Sequence, residues 1–175
     1  MVNMNIQLRV AALALVLAPS IGLAQDSPVA AAFRANAAQS AKNLIAAAET
    51  MPADKYGYKP TPAQMSFGDI MVHLARGNDY LCGMISGAKA PTRTPVGTDA
   101  GKDALVARLK ETFAFCDQSL ASLDDSKLSE PFTMFGQKYT RAGVEAVTIG
   151  DWADHYSQVA IYMRLNGLLP PTAKK

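Results

Sequence analysis

The chain has 175 residues, 49% of them apolar and 18% charged, with a formal net charge of +2, which excludes disordered and collagen-like classes. Two cysteines exclude a disulfide-dense miniprotein, and no Cys/His cluster has zinc-finger spacing. Arg9 lies in a segment read below as removable, so 17 Lys+Arg become 16 against 15 Asp+Glu, and the longest basic run is Lys174-Lys175. Such a chain lacks the basic face that nucleic acid requires.

Arg9 precedes an apolar run from Val10 to Ala18, followed by Pro19-Ser20 and by Gly22-Leu23-Ala24 with small residues at the first and third places. Residues 1–24 therefore read as a secretory signal peptide, cleaved after Ala24. The run is well short of the ~20 residues that span a bilayer. The mature chain 25–175, 151 residues, is expected to be secreted or periplasmic, free of the membrane, and large enough for one core. The competing reading is an amino-terminal anchor helix that is retained, because Arg9 alone supplies the positive region.

From Pro28 to Met51 the residues Phe33, Ala37, Ala41, Leu44, Ala48 and Met51 recur at helical steps and predict a first amphipathic helix. Pro52, Gly57, Pro60 and Pro62 break that period, and Ser66 with Asp69 three places later predicts the N-cap of a second helix. Its stripe is Phe67, Ile70, Met71, Leu74, Leu81 and Ile85, and Gly87 stops it. Ala88 to Gly101, with Pro91, Pro95 and Gly97, reads as a connection. Leu105, Leu109, Phe113, Cys116, Leu120 and Leu123 mark the buried face of a third helix, whose Lys102, Asp103, Arg108, Lys110 and Glu111 read as a solvated face.

Period two replaces 3.6 between Leu128 and Arg141, and Phe132 to Thr140 predicts a short hairpin, with Phe132 to Phe135 and Gln137 to Thr140 on either side of Gly136. A fourth helix follows from Ala142 to Asn166, with Ile149, Trp152, Tyr156, Val159 and Met163 as its stripe and Gly167 as its stop. The fold class is all-α, a four-helix bundle with a short β-hairpin before the last helix. Phe67, Leu74, Leu109, Phe113, Trp152, Tyr156 and Val159 are expected in its core.

The chain has two histidines, His73 on the second helix and His155 on the fourth, each on the shoulder of an apolar stripe. Asp151 stands four residues before His155. An i, i+4 pair presents both side chains on one face, near enough to grip one ion, and His73 is the available third ligand of an open site. Gln158 and Tyr162 continue the same polar seam, and one of them is expected near enough to orient the three or a bound ligand. The alternative for Asp151 and His155 is a solvated pair worth a few tenths of a kcal/mol.

Met51-Pro52 with Tyr58-Lys59-Pro60-Thr61-Pro62, Met65 to Asp69 leading to His73-Leu74, Asp154 to Gln158, and Tyr162 to Pro171 together resemble the DinB-like (YfiT-related) superfamily over nearly all of the mature chain. In that family a His on the second helix and a His-x-x-x-His pair on the fourth bind a divalent metal. His73 and His155 match the first and last of these places, and Asp151 occupies the middle one. The resemblance thus implies zinc, nickel, manganese or iron held by two imidazoles and a carboxylate, unless the substitution records a lost site.

Cys82 and Cys116 fall on consecutive helices, and export supplies an oxidising compartment, so a Cys82–Cys116 disulfide is expected, with two buried thiols as the alternative. Characterised relatives are mostly metal-dependent transferases or isomerases that use cytosolic low-molecular-weight thiols, which an exported member would lack. The leading expectation is an exported DinB-like protein with a metal site in a central pocket, a transferase or hydrolase acting on a small molecule, its catalytic residues unknown. The other is a non-catalytic binding or assembly protein, monomer or homodimer.

Overall fold

The computed structural model describes residues 27–173, and the signal peptide expected over 1–24 lies outside them. Helix α1 spans Pro28–Thr50, with Pro28 in the first turn, where no backbone N–H is needed. Its cap comes from far along the chain. The Asp125 carboxylate, in a 3₁₀ turn at Asp125–Lys127, accepts from the backbone N–H groups of Val29 at 3.1 Å and Ala30 at 2.8 Å. Negative charge there is favoured by the helix dipole as well as by the two hydrogen bonds.

Helix α2, Phe67–Ser86, opens with the predicted capping box. The Ser66 side chain accepts from the Asp69 N–H, and the Asp69 carboxylate accepts from Ser66 N–H at 2.9 Å and Oγ–H at 2.7 Å. Those Ser66 bonds hold the Asp69 carboxyl below the usual carboxylate range. The linker before α2 is anchored by Tyr56, whose hydroxyl donates to the Ala48 carbonyl at 2.6 Å. Burial pushes that phenol well above its ordinary pKa.

Helix α3 runs Gly101–Leu120, strands β1 and β2 cover Pro131–Met134 and Gln137–Thr140, and helix α4 covers Arg141–Leu165. Met134 pairs with Gln137, so the hairpin turns on Phe135 and Gly136, whose φ angles are 52° and 75°. Both central residues of a tight primed turn need positive φ. The sequence pattern placed Phe135 in the strand; the structure moves it into the turn because Met134 takes the inward place, fully buried, while Phe135 faces solvent.

Helices α1 and α2 each pack on both α3 and α4 and lie diagonal to one another, which is why a long, proline-rich linker is needed between them. Phe33, Phe113 and Trp152 fill the centre, with ring centroids 6.0 Å (Phe33 to Trp152) and 5.9 Å (Phe113 to Trp152) apart. Six of the seven expected core residues are buried. Tyr156 is only half-buried, and its hydroxyl donates to Thr172 Oγ1 at 2.9 Å and accepts from Thr172 N–H at 3.1 Å. Helix α4 is rotated from the expected orientation, so His155 joins the buried stripe and Tyr156 takes the shoulder.

A chain of buried polar groups sets that rotation. Trp152 Nε1–H donates to Asn78 Oδ1 at 2.8 Å, Asn78 Nδ2–H to Thr112 Oγ1 at 3.2 Å, and the Thr112 hydroxyl to the Leu109 carbonyl at 3.1 Å. Indole only donates, and the threonine proton is committed to Leu109, so every direction in the chain is determined. One asparagine thereby locks α4, α2 and α3 in register. One turn further along the same α2–α3 contact, a disulfide joins Cys82 to Cys116 of α3, 34 residues apart, with Cα atoms at 5.2 Å.

Two stability measurements follow from this packing. Asn78→Ala strands the Trp152 N–H and one Thr112 acceptor, and urea denaturation should show a loss of about 2–3 kcal/mol; a loss within ~0.5 kcal/mol contradicts the locking role. Glu145 on α4 is buried with neither carboxylate oxygen hydrogen-bonded among the described residues, and burial raises its pKa above the ordinary value, only partly offset by Arg141. A raised folded pKa means the folded state gains from the proton: that gain is complete below the unfolded pKa and is lost as pH rises through the folded value. Glu145→Gln should accordingly raise the melting temperature near pH 7 by ~3 °C and change it little near pH 4.

Candidate metal centre

His73 projects from the second turn of α2, the helix opened by the capping box, and Asp151 and His155 from one face of α4. The Trp152–Asn78 bond aligns these two segments, since Trp152 follows Asp151 and Asn78 stands five residues after His73. Asp151 Oδ1 lies 3.6 Å from His73 Nε2 and 3.4 Å from His155 Nδ1. The imidazole rings stack with centroids 4.5 Å apart and planes inclined by 25°.

The three side chains differ in exposure: 48% for His73, 22% for Asp151 and 9% for His155. The group is a notch on the α2–α4 seam, open at His73 and closed at His155. Gly77, one turn after His73, leaves space for the carboxylate: a Cβ there would stand 3.7 Å from Asp151 Oδ2. His155 Nδ1 is 2.8 Å from the Asp151 backbone carbonyl. A carbonyl only accepts, so Nδ1 carries the proton and the neutral ring has its lone pair on Nε2. Metal-binding histidines are commonly held this way, one nitrogen donating to a carbonyl while the other ligates.

The three predicted residues are thus brought together, with one ligand atom from each lying within 4.8 Å of the others. Bonds of ~2.0–2.2 Å at tetrahedral angles put neighbouring ligand atoms ~3.4 Å apart, and His73 Nε2, 3.6 Å from Asp151 Oδ1, stands close to that spacing. Two expectations are corrected. The site flanks the aromatic centre of Phe33, Phe113 and Trp152 instead of occupying the middle of the bundle. Gln158 and Tyr162 do not orient the triad: Gln158 donates to Asp154 Oδ2 at 2.8 Å, and the Tyr162 hydroxyl donates to the Met65 carbonyl at 2.9 Å.

Asn78, which aligns the site, was not singled out by the sequence reading. Its signal was present: a lone amide occupies the place between Leu74 and Leu81 on the α2 apolar stripe, where a buried partner is required.

The family model for the DinB superfamily matches residues 37–159. Among solved structures, a DinB-like protein from Bacillus cereus superposes with a TM-score of 0.68 at 16% identity, covering 81% of this chain and 95% of its own. A DinB-like protein from Bacillus subtilis gives 0.65 at 19% identity, covering 78% and 92%. A conserved protein from Enterococcus faecalis gives 0.62 at 16%, covering 78% and 96%. These likenesses show the fold. No curated protein sequence matches the chain.

Proposed function

Because the chain belongs to the DinB superfamily, we propose that it is a metal-dependent member of it, exported from the cytoplasm and acting as a transferase or hydrolase on a small molecule. The observation that supports this is the convergence of His73, Asp151 and His155 ligand atoms within 4.8 Å at a solvent-open notch. Two imidazoles and one carboxylate suit zinc and also non-haem iron, with nickel and manganese as further candidates. His73, Asp151 and His155 would hold such an ion, which would supply Lewis acidity toward an oxygen of water or substrate.

What the chain itself contributes is order and access. The Asp151 carbonyl fixes the His155 tautomer, so the ring is set before a ligand arrives. His155 is enclosed by the helix packing, while the half-exposed His73 borders the entrance, so a small molecule approaches from the α2 side of the seam. Asp151 would lower the net charge of an occupied site relative to three neutral imidazoles, which weakens Lewis acidity.

Export is supported by the disulfide in the fold, because such bonds persist in oxidising compartments. Intact mass of protein recovered from its native compartment should correspond to a chain beginning at Gln25; a chain still carrying Met1 contradicts export. For the metal, calorimetric titration with Zn²⁺, Ni²⁺, Mn²⁺ and Fe²⁺ should give one equivalent bound by wild type with at least one of them. His155→Ala should weaken it by ~100-fold or more, and Asp151→His should strengthen it. No binding to wild type, or binding indifferent to His155→Ala, replaces this reading with a non-catalytic binding protein.

A further inference from the structure

The connection between α2 and α3 is a strap over a cavity. It can leave α2 sharply because residue 83 is glycine: a Cβ there would stand 2.9 Å from the Ala88 carbonyl oxygen, a clash with backbone. Further along, Arg93 fastens the strap to both helices. Its Nε and Nη2 donate to the Asp79 carboxylate at 2.7 and 3.1 Å, and its Nη1 donates to Glu111 at 3.3 Å. Arg108 of α3 adds a second tie, donating to Glu111 at 3.0 Å and to the Thr94 carbonyl at 2.9 Å. Under this braced segment lies a cavity of about 410 Å³. That is within the ~300–1,000 Å³ range of small-molecule sites.

The floor of the cavity is apolar, with Met71, Val72 and Ala75 from α2, Leu105 from α3 and Val96 from the strap. Its charge is unbalanced. Arg93 and Arg108 are spent on Asp79 and Glu111, as above, whereas Arg76 also lines the cavity and makes no ion pair or side-chain hydrogen bond among the described residues. Three guanidinium groups against two carboxylates leave one positive charge at the rim, on an exposed side chain with all its donors uncommitted. His73, Asp151 and His155 line none of this cavity, so it is a second site on the opposite flank of α2.

We propose that this cavity binds a small amphipathic monoanion, a carboxylate on an apolar body, with the body on the Val72, Ala75, Val96 and Leu105 surface and the carboxylate on the Arg76 guanidinium. A planar carboxylate matches the guanidinium fork, and two parallel N–H···O bonds give direction to an otherwise non-directional apolar contact. A neutral molecule of the same shape forgoes the charge, and a dianion meets the Asp79 carboxylate that also lines the cavity.

The test uses octanoate as the probe on the disulfide-bonded mature protein in chelator-treated buffer, read by calorimetry and by amide chemical shifts. Octanoate should bind with one equivalent and shift Val72, Ala75 and Val96, while octanol binds at least ~10-fold more weakly, the size expected for loss of one charge-assisted pair. Arg76→Gln, an exposed substitution that breaks no contact among the described residues, should weaken octanoate ~10-fold and leave octanol unchanged. Ala75→Leu, which fills the floor, should weaken both. Absence of octanoate binding, equal binding of octanol, indifference to Arg76→Gln, or shifts centred on His73 and His155 each overturns the proposal.

Discussion

The hydrogen bond from the Trp152 indole to Asn78 is the constraint on which the arrangement of this bundle turns. Apolar contact is non-directional, and a helix with Thr148, Trp152, His155, Val159 and Met163 on one side can bury several slightly different faces at similar gain. A buried indole N–H has one way to be satisfied, and Asn78, itself bonded to Thr112, permits one rotation and one axial position of α4 against α2. The cost of leaving such groups unpaired, about 1–3 kcal/mol each, exceeds the differences between competing apolar packings. From that register follows the meeting of His73 with Asp151 and His155.

Other devices hold the remaining pieces without touching the site. The disulfide clamps α2 to α3, and a closed loop of this size is worth about 3–4 kcal/mol in the chain-entropy account. The Asp125 carboxylate caps α1 from 95 residues away, tying the turn before the hairpin to the start of the first helix. Arg141 stacks over the Phe132 ring at 5.1 Å and pairs with Glu130, docking the hairpin on the start of α4. Against these, the unpaired Glu145 carboxylate is a standing cost near neutral pH.

Much of this was readable before the structure. The four helical periods, the Ser66–Asp69 capping box, the Gly87 stop and the place of the hairpin each have a local cause, and local causes are visible in sequence. The triad was legible because the chain has two histidines, one of them a turn after an aspartate. What escaped depends on distance along the chain. Periodicity locates an apolar face within a broad arc, so Tyr156 and His155 were exchanged between stripe and shoulder; the arc is narrowed only by Asn78, 74 residues from Trp152. The turn at Phe135 escaped because an aromatic residue is a poor candidate for positive φ, and burial of Met134 overrode that preference. Arg108 read as solvated surface and Arg93 as part of a connection, since a charge pattern does not reveal that a proline-rich connection folds back to meet the helix.

The result is a three-residue group built across two helices, rigid at His155, open at His73 and bridged by a carboxylate, in a fold shared with DinB-like proteins. Its claim to function is that both rings and Asp151 act on one ion. Imidazole ¹H–¹⁵N correlation spectra recorded through a Zn²⁺ titration test that claim most directly. The account predicts that the His73 and His155 ring nitrogens shift together, saturate at one equivalent, and that the His155 Nδ1 proton is retained against the Asp151 carbonyl. A response confined to the exposed His73, or none at either ring, would contradict it.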